Sequence, residues 1–253
     1  MFRQRIYAYL KQIAGFADFT VLTLKYMFRR PFEGREIVRQ MFEVGYRSFG
    51  LISITAFIMG LVLTIQTRPV MEEFGAESWV PTMVFISVVI EIGPVITALL
   101  FAGKVGSRIG AELSSMRISE QIDAMEVSGV YPMKYLVVTR VLATTIMLPV
   151  LVMYADFLAL LGSYAGYTLH NNISLWLFIR ESFEELYFSD LIPATIKTYF
   201  FGFFIGILSC YTGYTTNRGA EGVGLATNSA VIFSSLSIFI LDLIAVQITQ
   251  IIL

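Results

Sequence analysis

Cysteine and histidine are nearly absent: Cys210 and His170 are the only ones in 253 residues. A disulfide framework or a thiolate metal site needs more, so neither is possible within one chain, and no metal site is expected. A histidine-based zinc site or a Ser-His-Asp triad would have to rest on His170 alone, and no matching partners are evident. Charge is scarce too: charged residues are 15% of the chain, against about 25% in ordinary globular domains. The formal charge of −1 says nothing by itself about partners, and no nucleic acid is among those expected. The pattern G-x-x-x-x-G-K-[ST] does not occur, so ATP hydrolysis by this chain alone is not expected. No compact apolar core precedes a small-residue cleavage site at the N-terminus, so no removable signal peptide is expected.

What fills the chain instead is hydrocarbon. Hydrophobic residues are 56% of it, in runs near 20 residues, long enough to cross a hydrocarbon core of about 30 Å. The alternation expected of an outer-membrane barrel is missing. The expected fold class is an all-α membrane protein with an N-terminal interfacial amphipathic helix and five transmembrane helices. Residues 1–47 form N-terminal interfacial or elbow helices, and residues 48–253 the transmembrane domain. The spans are placed at about 49–67, 79–103, 135–169, 191–211 and 230–253. Residues 1–47 carry nine Lys/Arg with aromatics between them, the composition of a helix lying in a membrane interface. Pro31 and Gly34 break that helix, and a second short one, Glu36–Tyr46, leads into the first span.

Lys and Arg accumulate on the cytoplasmic side of membrane proteins. The N-terminal segment, the polar stretch after the second span with its flanks (Arg140 included) and the Gly-rich loop 216–229 hold fifteen of the eighteen. The other two loops hold Arg68 and Arg180 among many acids. The N-terminus is therefore expected in the cytoplasm and the C-terminus outside.

Apart from Arg140, near the start of the third span and counted with the flank of the polar stretch, four charged residues fall inside spans: Glu91, Asp156, Lys197 and Asp242. A mid-bilayer charge costs at least about 2.5–3.5 kcal/mol, so each needs a partner or a wet cavity. At about 1.5 Å per residue, Lys197 lies roughly 9 Å and Asp242 roughly 15 Å from the outer ends of their spans. An intramembrane ion pair is expected between them. Glu91 is either an acid capped by neighbouring groups or one that lines a cavity. Asp156 is expected near the outer end of its span, in a wet setting. Gly202 and Gly206, like Gly106 and Gly110, are one turn apart and mark close helix packing.

The polar stretch within GPVITALLFAGKVGSRIGAELSSMRISEQIDAMEVSGVYP, Gly93–Pro132, predicts a helix outside the membrane. Ser119 is the expected N-cap, with Glu120 in the first turn, Gly129 past the end and Pro132 beyond. Ile118, Ile122 and Met125 share one stripe, flanked by Glu120, Asp123 and Glu126. The stripe either packs on its own protein or docks into a groove on a soluble partner.

The block just quoted, continued by MKYLVVTRVLA, resembles the signature of MlaE/YrbE permeases, the membrane subunits of MCE-type ABC lipid transporters. GAEGVGLATNSAVIFSSLSIFILD is similar to the family's second signature, and GLVLTIQ at Gly60–Gln66 with FGA at Phe74–Ala76 to the first. The resemblance implies a homodimeric permease in the bacterial inner membrane, with a cytoplasmic coupling helix at about 112–129 seated on a separate ABC ATPase that binds ATP and Mg. It implies a periplasmic MCE-domain protein, in many members a STAS-domain protein, and phospholipid cargo moved between inner and outer membranes. No cofactor would be held by this chain. Glu91 matches an acid beside the lipid cavity at the dimer centre, and Leu63, Gln66, Val70 and Phe74 match positions near it. Glu112, Met116, Glu120, Gln121, Asp123 and Glu126 fall in the coupling block, with Ile118, Ile122 and Met125 as its apolar stripe. Two departures stand out. Ile90 replaces an Arg of many members, so the resemblance supports no Arg–Glu pair there; Asn217-Arg218 replaces a Gly-rich pair. Alternating access of the cavity is the implied mechanism. The competing classes are an intramembrane lipid-modifying enzyme, which needs a catalytic constellation that isolated acids do not supply, and an ion-coupled secondary transporter, for which internal repeats would be expected.

Overall fold

The computed structural model describes residues 2–30, 32–169, 173–216 and 219–252. His170, Pro31 and the Asn217-Arg218 pair lie outside them. Among the described residues the chain is helical, with turns and no strand. Eight helices follow one another: α1 (Phe2–Met27), α2 (Gly34–Glu73), α3 (Glu77–Ile118), α4 (Gln121–Val127), α5 (Met133–Thr168), α6 (Leu175–Phe183), α7 (Phe188–Tyr214) and α8 (Gly219–Ile252). Five of them, α2, α3, α5, α7 and α8, are long and apolar enough to cross a membrane.

The helices run longer than the spans read from hydropathy at most ends. The short helix at 36–46 and the first span are one helix, α2, which carries Pro69 in its last turn. The Arg68–Glu77 stretch expected as a loop is helical as far as Glu73, because Arg68 clips its end: the guanidinium pairs with Glu77 at 2.9 Å and reaches Glu72 at 4.0 Å. Gly75 makes the following turn at φ 68°, a left-handed conformation that glycine adopts without a Cβ clash. The described part of the Gly-rich loop is the start of α8, where Ala226 and Ala230 pack on Gly110. The acidic stretch after His170 contains α6, N-capped by Ser174, whose Oγ accepts from the Leu177 amide at 3.3 Å.

Backbones touch where side chains are smallest. A Cβ on Gly60 of α2 would strike the Ala159 carbonyl of α5, and one on Gly162 would strike the Phe57 carbonyl. Gly202 and Gly206 of α7 sit in the same way on Thr144 and Val141 of α5. The small-residue pairs therefore bind spans of one chain together, through close backbone approach. The main core lies among α3, α5 and α7, with Phe101, Leu113, Leu148, Phe201 and Ile205 buried. A second core at the other end gathers Val80, Phe85, Leu160, Tyr167 and Phe178 under α6. Helix α1 rests Phe16 and Phe19 edge-on against Tyr211 of α7, ring centroids 5.3 and 5.5 Å apart.

A clamp of two carboxylates on one lysine

Three spans converge on Lys197. Its Nζ donates to Glu91 Oε2 at 2.7 Å and to Asp242 Oδ1 at 2.9 Å. Glu91 comes from α3, Lys197 from α7 and Asp242 from α8. The lysine side chain is 6% exposed, Asp242 14% and Glu91 42%. The meeting of Lys197 and Asp242 follows from depth. Nine residues separate Phe188 from Lys197 and ten separate Asp242 from Ile252, so both lie about 14–15 Å inside their helices at about 1.5 Å per residue.

Glu91 arrives by a local distortion. Residues Val88–Ile92 form a π-helical turn, closed by the Gly93 amide on the Val88 carbonyl. Pro94 follows. A proline removes a helical donor and crowds the carbonyl four residues back, and a widened turn is one way to accommodate both. The extra residue per turn rotates Glu91 relative to a regular helix. Two carboxyl groups share one ammonium, and the half-exposed Glu91 is where the clamp meets the surroundings.

Asp156 of α5 is not in the wet outer position expected. It lies twelve residues before the end of α5. Its Oδ1 is buried without a hydrogen-bond partner among the described residues and faces Gly93, beside the π-turn. A Cβ at position 93 would meet that oxygen at 2.5 Å, so Gly93 leaves room for the carboxyl.

Leu63, Gln66 and Val70, expected near the cavity, fall in the C-terminal part of α2, and Phe74 directly follows it. Gln66, Val70 and Phe74 are exposed and spaced by four residues, while Leu63 is partly buried against the second core. Among the described residues none of the four bonds or ion-pairs with Glu91.

The expected coupling block divides in two. Ile122 is fully buried, and Met116 and Met125 pack against the same core. With Ile118 half-buried, the apolar stripe belongs to the chain's own interior and is not a docking face. Ser119 is not the N-cap: its hydroxyl donates to the Ser115 carbonyl at 2.8 Å, finishing α3. Glu120 takes the cap position at φ 56° without a side-chain cap bond, a sharp corner between α3 and α4. Glu112 is tied to Arg108 at 2.6 Å and Arg140 at 3.4 Å. Asp123 pairs with Arg117. Glu120, Gln121, Asp123 and Glu126 remain exposed. So do Val127 and Tyr131, 91% and 68% exposed, which the heptad-like stripe did not single out because they lie on the opposite face of α4 and beyond its end.

The comparisons with known proteins agree on one family. The sequence model described as "Permease MlaE" matches residues 37–248. A probable ABC transporter permease protein of Rickettsia felis is 36% identical over 94% of this chain and 92% of its own length. One from Synechocystis is 37% identical over 81% of this chain and 78% of its own. The chloroplastic protein TRIGALACTOSYLDIACYLGLYCEROL 1 of Arabidopsis thaliana is 33% identical over 83% of this chain and 60% of its own. The chain is a multi-pass membrane protein that belongs to the MlaE permease family.

Proposed function

We propose that this permease subunit moves phospholipid between the inner and outer membranes of a bacterium, driven by a separate ABC ATPase. The observation that carries the lipid reading is the clamp: a half-exposed carboxylate held at mid-span by a buried lysine. A headgroup has something polar to meet there, while exposed apolar side chains such as Ile65 and Val70 of α2 suit acyl chains. The name of the Arabidopsis relative is that of a galactolipid, which supports a lipid cargo. The cavity would form between two copies of the chain, with Gln66, Val70 and Phe74 at its outer mouth. The exposed side of α4 would seat the ATPase, which binds ATP and Mg. An MCE-domain protein on the periplasmic side and a STAS-domain protein would complete the assembly. The excess of Lys and Arg supports a cytoplasmic N-terminus, with α4 and the start of α8 on the same side. Nucleotide binding that favours one arrangement of α4 would then shift the spans between two accessibilities.

Glu91→Gln tests this directly. It keeps the shape of the side chain and removes the charge. In a reconstituted assembly, lipid flux should fall about tenfold or more, the size of effect expected when a charged polar contact worth about 1.5–3 kcal/mol is lost, while the ATPase still co-purifies. Unchanged flux would end the headgroup role, and failure to recover any ATPase with the unmodified chain would end the transporter reading.

A further inference from the structure

A second polar site lies far from the clamp, between α2 and α3. A hollow of about 170 Å³ is lined by Glu43, Val44 and Arg47 from α2 and by Lys104, Val105 and Arg108 from α3, among others. Its inner wall is apolar: Val44 and Val105 are buried. Its rim is charged, and the charges do not balance. Glu43 Oε2 accepts from Arg47 at 3.0 Å and from Arg108 at 2.8 Å. Glu112 is shared between Arg108 and Arg140. Lys104 has no carboxylate partner among the described residues; its ammonium donates to the Arg47 carbonyl. Three cations of the lining, Arg47, Lys104 and Arg108, therefore face two carboxylates, and both carboxylates are already engaged, Glu112 also by the buried Arg140 behind the wall.

The surplus sits at the exposed edge. Arg47 is 57% exposed and Lys104 is exposed. Both flank hydrocarbon: Arg47 precedes the apolar run that begins at Phe49, and Lys104 follows the one that ends at Gly103. Lys104 stands within a second π-helical turn, Ala102–Gly106. Below Arg47, Leu51, Ile54 and Ile58 continue one exposed stripe at helical spacing along α2. A cationic rim at the membrane boundary, over an apolar floor and an apolar stripe, matches a phospholipid from phosphate to tails. Basic pockets of this kind between spans take anionic headgroups.

We propose that this hollow binds an anionic phospholipid of the adjoining leaflet, its phosphate between Arg47 and Lys104 and its acyl chains along Leu51, Ile54 and Ile58. The site rests on the chain's membrane embedding and is separate from any cargo path. Native mass spectrometry of the full-length protein, purified in mild detergent, tests it. The protein is given equal amounts of dioleoyl-phosphatidylglycerol and dioleoyl-phosphatidylcholine. Phosphatidylglycerol should be retained with about a thirtyfold preference, the scale set by two basic groups near an anionic headgroup. Arg47→Gln combined with Lys104→Gln should bring retention to parity, and Arg47→Lys should keep the preference. A preference that survives the double variant overturns the site, and so does equal retention of the two lipids by the unmodified protein. Should the double variant fail to fold, the unmodified protein still decides. Its preference should collapse as salt rises from about 0.1 to 1 M and the screening length falls from about 10 to about 3 Å, and a salt-indifferent preference overturns the proposal. Thermal protection by inorganic phosphate equal to that by the lipid would overturn the lipid assignment. Lipid retention is read without flux, so this result and the transport result stand or fall separately.

Discussion

Lys197 is the residue on which the intramembrane charges depend. Removing one member of a buried charge group is worse than never having it, because the remaining charges lose their partner; such single removals cost about 3–5 kcal/mol. Lys197→Met should therefore lower folded yield sharply, leaving Glu91 and Asp242 as neighbouring, uncompensated acids. Asp242→Asn should cost less, since Glu91 still holds the lysine. Combining Lys197→Met with Glu91→Gln and Asp242→Asn should recover much of the loss. Thermal unfolding in detergent measures all three, and additive losses would mean that the three groups do not act as one. The pairing of Lys197 with Asp242 was legible from depth along the helices. The part of Glu91 was not. A count of 3.6 residues per turn assumes a regular helix, and the π-turn at Val88–Ile92 changes the direction in which Glu91 leaves it.

At the scale of elements, α4 shows where pattern reading stops. An apolar stripe beside a charged face marks an amphipathic helix in either role, and the stripe carries no sign of which surface it covers. Ile122 is fully buried in the chain's own core, so Ile122→Asp would place an unpaired charge inside the fold and should abolish folded protein. Val127→Asp and Tyr131→Ala alter side chains that are mostly exposed and should leave yield and unfolding temperature within the small range of ordinary surface changes, about ±0.5 kcal/mol. If α4 seats the ATPase, these two variants should still release it in co-purification. Retained ATPase with both variants would move the seat elsewhere on the chain. The helices run past the apolar spans for related reasons. Hydropathy reports where side chains are apolar, whereas helices continue as long as their ends are satisfied. Arg68 satisfies the end of α2 through Glu77, and Gly110 offers the start of α8 a surface to pack on.

For the whole molecule, five spans and the glycine-mediated contact of α7 with α5 follow from apolar run length and small-residue spacing, whereas the α2–α5 contact rests on Gly60 and Gly162, which no such pair marked. Orientation follows from a different quantity, the distribution of Lys and Arg, and no contact within the protein depends on it. It is therefore tested separately. The chain's single cysteine, Cys210, is fully buried, so it should stay silent toward a membrane-impermeant thiol reagent. Glu126→Cys and Phe74→Cys place thiols on exposed positions at opposite ends of the bundle: one follows α3, the other precedes it. With fifteen of eighteen basic residues on the side of Glu126, that cysteine should react only after the membrane is opened, and the one at 74 while the membrane is intact. The reverse labelling would invert the molecule. The exposed side of α4 would then face away from any cytoplasmic ATPase, even though every helix contact described for the fold would still hold. Topology labelling thus separates the folding argument, which needs only the hydrocarbon, from the transport argument, which needs the right side of it.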